Sequence, residues 1–377
     1  MAIRDPCCHL RRRSPRLCAV SVVLVATSAA LAERFRAFGL ESASRAPLYA
    51  TLAAAAADDD AALALLQTAP EMQQMPVLFF AAVHHLLLAG EGAELARHYP
   101  NLSPDVDVDG RDPVPAFRAF VRSHAAPLQS LIVERSTQTN EIGRCALFLP
   151  PMAVVESERG PLAHIDIGAS AGLTLLLPQF TYAYEPGGTV TGPSGIELRC
   201  GVRGARPLPS TMPSIVRSIG LDRSPIDTTD DDAVRWLEAC VWPDQADRFD
   251  RLVRAIELAR RNPPEVRRGD AVDDVATLVT EAASFGHPVI TTSWVLSYLT
   301  TDQRHAFVEQ LDTIGADIDL SWVIGEAPAL TPGLPVPTTE EPEHLTVLSL
   351  VRWRDGVRHV ERLATAHPHG YWVHWEP

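Results

Sequence analysis

LAHIDIGASAGLTLLL, residues 162–177, contains the strand and the turn that decide the fold. Apolar residues on both sides of Asp166 predict a buried β-strand that ends near this acid. Small residues follow from Gly168 to Gly172, and an apolar run resumes at Leu173. Such a turn lets a ligand approach the backbone closely and leaves the first N–H groups of a following helix free to meet it. We therefore expect strand, tight turn and helix, with Asp166 reaching polar groups of a ligand.

This turn resembles the first motif of class I S-adenosylmethionine-dependent methyltransferases, in which an acid precedes three spaced glycines. Ser170 stands where the middle glycine usually is. The resemblance implies that the methionine part of the cofactor is held by Asp166, Gly168, Ala169, Ser170 and Gly172. The alternative is a strand-to-helix turn whose small residues serve packing only.

The segments after the turn supply candidate contacts for the rest of such a cofactor. Ile219-Gly220-Leu221-Asp222 predicts a second parallel strand ending in an acid, the position that holds ribose hydroxyls in Rossmann-like folds. Glu185 is the rival candidate for that role. A third strand is expected in residues 265–271, and its Gly-Asp-Ala end, with Asp270 and Ala271, matches the place where methyltransferases contact adenine.

Further strand patterns complete the prediction of the sheet. Residues 288–299 predict a fourth strand running into a helix, and residues 318–324 a fifth. Asp355-Gly356 between two apolar runs predicts a hairpin, the antiparallel pair that closes a methyltransferase sheet. We expect residues 136–377 to form a class I methyltransferase-like, Rossmann-like α/β domain with a mostly parallel sheet, an antiparallel last strand and a β-rich insertion at about 180–210.

The amino-terminal third is helical in pattern. Residues 29–135 predict a helical cap or substrate domain. His84 and His85 lie in its most apolar helix, where core histidines with satisfied hydrogen bonds are the favoured interpretation over ligands.

Residues 1–28 resemble a secretory signal because arginines precede an apolar run. The run continues into a helical pattern at Leu31, Phe35 and Phe38, which cleavage would interrupt. We favour an upstream extension, disordered or created by a mis-set start, and a true signal peptide is the alternative.

Composition excludes several classes of function. All 33 basic residues are arginines, so there is no lysine for a pyridoxal Schiff base, a P-loop or a protein-kinase site. The net charge of −14 argues against a nucleic-acid partner. The cysteines include no C-x-x-C pair, which is typical of buried thiols in a reducing, cytoplasmic compartment. We expect a small-molecule substrate, and neither nucleic acid nor a membrane.

The densest polar cluster before the turn is TQTNEIGR, residues 137–144. Asn140 and Arg144 are spaced to share a helix face, with Glu141 beside them. We expect the cluster to border the cofactor, with Glu141 as general base and Asn140 and Arg144 orienting the methyl acceptor. The alternative is a helix start containing a Glu141 to Arg144 ion pair.

Three more residues are candidate substrate contacts. Trp242 and Asp244 belong to VWPDQ, residues 241–245, and Trp294 belongs to the predicted fourth strand. Packing is the alternative role for the Trp-Pro turn. His367, His369 and His374 cluster near the carboxyl end, but an aromatic-rich terminal strand is favoured there over a metal site, and we expect no metal.

Several motifs together resemble one bacterial family of domains of unknown function, number 2332 in that series. The likeness covers about residue 29 to the end. The matching stretches are TQTNEIGRC at 137–145, IGASAGL at 167–173, WLEACVWPDQ at 236–245, RGDA at 268–271 and HPHG at 367–370. Departures occur at Thr174, at residues 222–225 and at Trp294. The resemblance implies a methyltransferase-like fold and no particular substrate.

We therefore expect methyl transfer from S-adenosylmethionine to a small or amphipathic acceptor. A nicotinamide-dependent oxidoreductase is the runner-up, because the same turn and ribose acid serve dinucleotides, although Ser170 and Ala171 fit the pyrophosphate fingerprint poorly. A non-catalytic protein that binds a metabolite or a partner is the third hypothesis.

Overall fold

The computed structural model describes residues 27–103, 110–205, 208–336, 341–342 and 344–376. The expectations for residues 1–28 therefore lie outside the described residues, apart from the last two positions. The first helix begins there, at Ser28.

Helices form the described part of the chain before residue 136. Prolines at the first position begin the second and fourth helices, where the missing N–H costs no hydrogen bond. The helices are α1 (Ser28–Ser42), α2 (Pro47–Ala57), α3 (Asp60–Gln67), α4 (Pro76–Leu88), α5 (Ala93–Ala96), α6 (Val114–Ser123) and α7 (Ala125–Glu134). They share a core rich in aromatic rings, including Phe35, Phe79 and Phe80. None of the described helices is both long and apolar enough to cross a lipid bilayer.

The rest of the described chain is one large sheet with helices on its faces. The strands are β1 (Leu162–Ile167), β2 (Thr181–Glu185), β3 (Gly188–Val190), β4 (Glu197–Arg203), β5 (Ile215–Asp222), β6 (Val266–Arg268), β7 (His287–Ser293), β8 (Leu320–Glu326), β9 (Thr346–Arg354), β10 (Val357–Ala366) and β11 (Trp372–Trp375). The helices are α8 (Cys145–Arg159), α9 (Asp231–Ala239), α10 (Ala246–Arg261), α11 (Ala271–Ala283) and α12 (Thr301–Gly315). The strand order is β3-β2-β4-β11-β10-β9-β8-β7-β1-β5-β6.

The centre of this sheet is parallel. From β1 the chain builds outward through β5 and β6, and it then returns to the other side of β1 to add β7 and β8. The direction of strand addition therefore reverses between β1 and β7, which creates a topological switch point. Helix α8 packs on one face of the sheet, while α11 and α12 pack on the other. The α/β class and the mostly parallel sheet are confirmed.

The antiparallel end of the sheet starts with the predicted hairpin. Asp355 and Gly356 both have positive φ, 49° and 76°, which suits a tight turn between β9 and β10. Strand β11 then pairs antiparallel with β10 and parallel with β4. The predicted insertion at 180–210 thereby becomes the far edge of the same sheet. The division into units 1–28, 29–135 and 136–377 stays a prediction.

One predicted element differs in type. The glycine turn is followed by a 3₁₀ helix, Leu173–Gln179, and not by an α-helix. Pro178 lies inside this segment, and proline supplies no N–H for a continuing α-helix.

Candidate functional site

A cavity of about 440 Å³ lies at the carboxyl ends of the central parallel strands. Its lining includes Gly168 after β1, Asp222 at the end of β5, Gly269 after β6 and Ser293 at the end of β7. It therefore spans the switch point between β1 and β7, the place where open α/β sheets bind ligands. Its size is that of a small-molecule site.

Neighbouring side chains leave no room for any residue but glycine at two positions of the turn. Gly168 has φ +77°, and a Cβ there would lie 2.3 Å from Cγ2 of Val295. Gly172 has φ +73°, and its Cβ would lie 2.6 Å from Cγ2 of Val266. Both positions therefore exclude a side chain on two grounds, conformation and space. Gly168 and Ser170 also line the cavity.

The expectation that the turn offers free N–H groups to a ligand is wrong, because the protein uses them itself. The N–H groups of Gly168 and Ala169 both donate to Leu221 O. The N–H of Ser170 donates to Asp222 Oδ2, that of Gly172 to Ala169 O, and that of Leu173 to Asn140 Oδ1. The turn is thus a rigid wall of the cavity, and these five amides do not form an anion cradle.

Asp222 is the acid that the structure brings to the cavity. Its Oδ2 accepts from the N–H of Ser170 at 2.8 Å, and its Oδ1 accepts from the N–H of Ser224 at 2.7 Å. Each carboxylate oxygen can accept a further hydrogen bond, so the side chain is held in place while it retains capacity for a ligand. The rival Glu185 is wrong for this role, since six strands separate β2 from β1.

Of the two residues expected to contact adenine, Ala271 lines the cavity and Asp270 does not. Ala271 lines the cavity beside Gly269. Asp270 is not part of the lining: its Oδ1 caps α11 by accepting from the N–H of Val272 at 2.8 Å, and its Oδ2 accepts from Arg223 at 2.6 Å. The assignment of Asp270 to ligand contact is therefore corrected to a helix cap and ion-pair partner.

Asp166 is likewise not part of the cavity lining. It is buried in β1, where its Oδ1 accepts a 2.6 Å hydrogen bond from the hydroxyl of Thr291 on β7. Burial raises the pKa of this carboxyl to about 7, against the opposing effect of that hydrogen bond. The side chain supports the strand pair below the turn, and the cavity is lined by Ile167 and Gly168 instead.

Glu141 does not line the cavity, which corrects its assignment as general base. Its Oε2 lies 2.5 Å from Nε of Arg248, and its Oε1 accepts from the N–H of Gly143 at 2.9 Å. Burial raises its pKa, but the charges of Arg248 and Arg251 outweigh burial, and the net shift is downward. A carboxylate held in its ionised form by arginines is a poor proton acceptor.

The neighbours of Glu141 in the sequence have separate roles. Asn140 accepts from the N–H of Leu173 and does not line the cavity, so its assignment to the acceptor is also corrected. Arg144 does line it. Its Nε donates to Pro368 O at 2.7 Å, and its Nη1 donates to Ser293 O at 3.0 Å and to Ser293 Oγ at 3.1 Å. The alternative Glu141 to Arg144 pair is wrong as well, since the partner of Glu141 is Arg248.

Of the three substrate candidates, only Trp294 reaches the cavity. It has φ 56°, and its indole N–H donates to Thr346 Oγ1 at 2.7 Å. Trp242 packs instead against the ring of Phe38 in the helical core. Asp244 accepts from the N–H of Leu48 at 3.1 Å. Trp242 and Asp244 therefore connect the helices to the sheet region and do not line the cavity.

Sequence reasoning selected only Trp294 from the segment that closes one side of the cavity. Residues 293–299 form a loop and a 3₁₀ turn after β7, with the exposed ring of Tyr298 in the lining. Glu326, buried at the end of β8, accepts from the N–H groups of Val295 and Leu296 at 3.1 and 3.4 Å and fixes this loop from below. The available signal was an acid ending the predicted fifth strand next to the fourth.

Two of the quoted motifs, far apart in the sequence, meet beside the cavity. A Cβ on Gly370 would lie 2.0 Å from Gly143 O, and a Cβ on Gly143 would lie 2.3 Å from His369 O. The HPHG turn therefore packs on the EIGR turn and presents Pro368 O to Arg144. Within the described residues no three His, Cys, Asp or Glu side chains are grouped so that they could hold a metal ion. The described cysteines, Cys145, Cys200 and Cys240, are free thiols.

Comparison with known proteins adds a family. No curated protein and no solved structure matches the chain. Residues 32–375 match a family described as uncharacterized protein conserved in bacteria (DUF2332). This match covers nearly the whole chain, including the turn, the cavity lining and both packed motifs, and the protein therefore belongs to this bacterial family.

Proposed function

We propose that the cavity binds S-adenosylmethionine and that the protein transfers its methyl group to a small or amphipathic acceptor. The observation that carries the proposal is the cavity at the switch point with Asp222 in its lining. Asp222 ends the strand next to β1, on the side where β6 and Ala271 follow. In Rossmann-like folds this order places ribose at the acid, with the base beyond it.

An unpartnered hydroxyl in the cavity wall supports a polar ligand. Ser170 is buried, and its Oγ has no hydrogen-bond partner among the described residues, although Ser170 lines the cavity. Burying a hydroxyl without a partner is unfavourable. A bound ligand with a hydroxyl or amine group would supply that partner.

The turn favours a sulfonium nucleoside over a dinucleotide. Binding of a pyrophosphate depends on free N–H groups at the start of an α-helix. Here those of Gly168, Ala169, Ser170, Gly172 and Leu173 are occupied, and a 3₁₀ helix follows. S-adenosylmethionine carries no phosphate and supplies a methyl group that needs mainly a positioned acceptor. The position of Glu141 away from the cavity is therefore compatible with transfer.

Calorimetric titration of the purified protein tests the proposal. We expect S-adenosylmethionine and S-adenosylhomocysteine to bind and NADH not to bind. Binding of NADH alone would favour the oxidoreductase. Binding of adenosyl ligands without methyl transfer to any offered acceptor would favour the non-catalytic hypothesis, and binding of none would end the proposal.

A matched pair of variants tests the position of the ligand. Ser170 has φ 55°, so Ser170→Gly relieves the backbone while it removes the hydroxyl, and we expect up to about 10-fold weaker binding of S-adenosylhomocysteine. Asp355→Gly is the control, because Asp355 has φ 49° in the exposed β9–β10 turn. It should leave the affinity unchanged. Equal affinities in both variants and the parent protein would contradict a ligand contact at Ser170.

A further inference from the structure

Two of the described cavity-lining residues carry a positive charge, Arg144 and Arg223, and only one of them is neutralised. Nε and Nη2 of Arg223 both donate to Asp270 Oδ2, at 3.0 and 2.6 Å. Arg144 donates only to carbonyl and hydroxyl oxygens, of Pro368 and Ser293. Within the described residues these bonds use Nε and Nη1 and leave Nη2 without a partner.

The acids nearest to Arg144 do not balance its charge. Glu141 is committed to Arg248 at 2.5 Å. Glu326 is buried, and burial raises its pKa to about 7, so it is only partly ionised at neutral pH. Arg144 itself is 9% exposed, and burial lowers its pKa to about 10, so it stays protonated. Glu141 and Glu326 stabilise the charge of Arg144 only from a distance, and within the described residues Arg144 forms no ion pair. A buried guanidinium without a directly bonded anion is unfavourable, and its planar donors match a carboxylate.

We propose that Arg144 binds a carboxylate of the cavity's ligand through Nη2. The position of Arg144 fits the proposed adenosyl ligand. Nη1 is held at Ser293 on the end of β7, and Asp222 is at the end of β5, with β1 between them. Two strand spacings are about 10 Å. A ligand with its ribose at Asp222 would therefore extend its amino-acid end across the switch point toward Arg144.

A carboxylate could come from either of two molecules. One is the amino-acid end of S-adenosylmethionine, in which case the inference rests on the proposed function. The other is a carboxylate on the methyl acceptor. The occupied amides of the turn favour the first, since those five N–H groups do not bind a carboxylate and the side chain must do so instead.

The test compares two nucleosides that differ in the carboxylate. Calorimetry gives the affinity of the wild-type protein and of Arg144→Gln for S-adenosylhomocysteine and for 5′-methylthioadenosine, which lacks the amino-acid end. We expect the wild-type protein to prefer S-adenosylhomocysteine and Arg144→Gln to weaken its binding by about 10- to 100-fold, as for loss of a charged hydrogen bond. The affinity for 5′-methylthioadenosine should be unchanged.

A second arm uses butyrate, a plain carboxylate, added to protein saturated with S-adenosylhomocysteine. If the acceptor supplies the carboxylate, Arg144→Gln leaves both nucleoside affinities unchanged and abolishes the binding of butyrate. If the wild-type protein binds neither nucleoside, the proposed function fails. Binding of butyrate to the free protein that Arg144→Gln abolishes would still support the carboxylate site.

Two further variants control for structure. Arg354→Gln removes bonds to Leu320 O and Ser321 Oγ at the start of β8, the end away from the cavity, together with an ion pair to Glu158. It should change stability without changing any of these affinities. Arg144→Lys keeps the charge and should restore part of the preference. The inference is overturned if Arg144→Gln leaves all three affinities unchanged. It is also overturned if the wild-type protein neither prefers the nucleoside with the carboxylate nor binds butyrate, a result that does not depend on any variant folding.

Discussion

Glu141 and Arg248 form an ion pair whose side chains are only 5% and 8% exposed. Arg251 lies 3.7 Å from the same carboxylate. The pair joins the start of the EIGR turn to α10, two segments 107 residues apart. Because both charges are removed from water, each depends on the other.

We predict that Glu141→Gln lowers the free energy of unfolding by about 3–5 kcal/mol at pH 7, since it leaves Arg248 buried without its anion. Urea denaturation measures this. The lowered pKa of Glu141 means that its contribution is present above the pKa of an unfolded glutamate and is lost as the pH falls through the folded pKa. The difference between the wild-type protein and the variant should therefore shrink in acid.

Glu33→Gln is the matched control, because Glu33 pairs with Arg36 on the surface, with side chains 74% and 46% exposed. Its effect should lie within about 0.5 kcal/mol. A Glu141→Gln variant as stable as this control, but unable to transfer methyl groups, would return Glu141 to a catalytic role.

Six residues proposed from the sequence line the cavity: Arg144, Gly168, Ser170, Asp222, Ala271 and Trp294. Strand periodicity places Gly168 and Ser170 after β1 and Asp222 at the end of β5, whereas Ala271 follows from the resemblance to methyltransferases. Glu141 was misassigned because its partner, Arg248, is distant in the sequence. No local sequence pattern indicates that an acid near a glycine turn forms an ion pair with an arginine of a later helix.

At the scale of elements, strands were easier to predict than the segments between them. The parallel strands β1, β5, β6, β7 and β8 and the β9–β10 hairpin occur where apolar runs and the Asp-Gly turn predicted them. The 3₁₀ helix after the turn has an N–H of its first residue, Leu173, bonded to Asn140 Oδ1 from a distant segment, and the turn before it is bonded to Asp222 through the N–H of Ser170. The joining of β4 to β11 is a pairing between residues about 170 positions apart, which no periodicity indicates.

The contact between the HPHG and EIGR turns gives a prediction about glycine. Gly370 and Gly356 have nearly equal φ, +75° and +76°, but a Cβ would lie 2.0 Å from Gly143 O in the first case and 3.6 Å from Ala316 O in the second. Gly356→Ala should therefore lower the free energy of unfolding only through backbone strain, by about 1 kcal/mol. Gly370→Ala adds a clash between two turns, and we expect a clearly larger loss of stability.

The same clash should reach the cavity, because the HPHG turn presents Pro368 O to Nε of Arg144. We expect Gly370→Ala to weaken any ligand that depends on Arg144, while Gly356→Ala leaves it unchanged. Thermal unfolding and the titrations of S-adenosylhomocysteine measure the two effects. Equal losses of stability in the two variants would contradict the predicted clash, because they would show that the HPHG and EIGR turns can move apart without destabilising the protein.

At the scale of the whole molecule, the helical core is completed by the sheet region. Trp236, on α9, is buried within the helical core, and its indole N–H donates to Ser136 O beside the cavity at 2.8 Å. His84 on α4 is hydrogen-bonded through Nδ1 to Ala239 O at the end of α9, at 3.1 Å. Trp242 and Asp244, misassigned to substrate, belong to the same contact. An apolar core closed by a residue from the other region favours unfolding of both together.

We predict that Trp236→Ala lowers the free energy of unfolding by about 3–5 kcal/mol through loss of a buried ring. Because the core is shared, the loss should reach both regions. Native-state hydrogen exchange measures it: amides of α4, such as Phe80, and of β1, such as Ile165, should lose protection by the same factor. Phe307 packs between α12 and the sheet, so Phe307→Ala makes the equivalent change in the sheet region. It should also lower the protection of amides in both α4 and β1. If each substitution instead exposed only the amides of its own region, the helices would be an independent unit. The wall at residues 136–139 would then be free to move relative to the rest of the cavity.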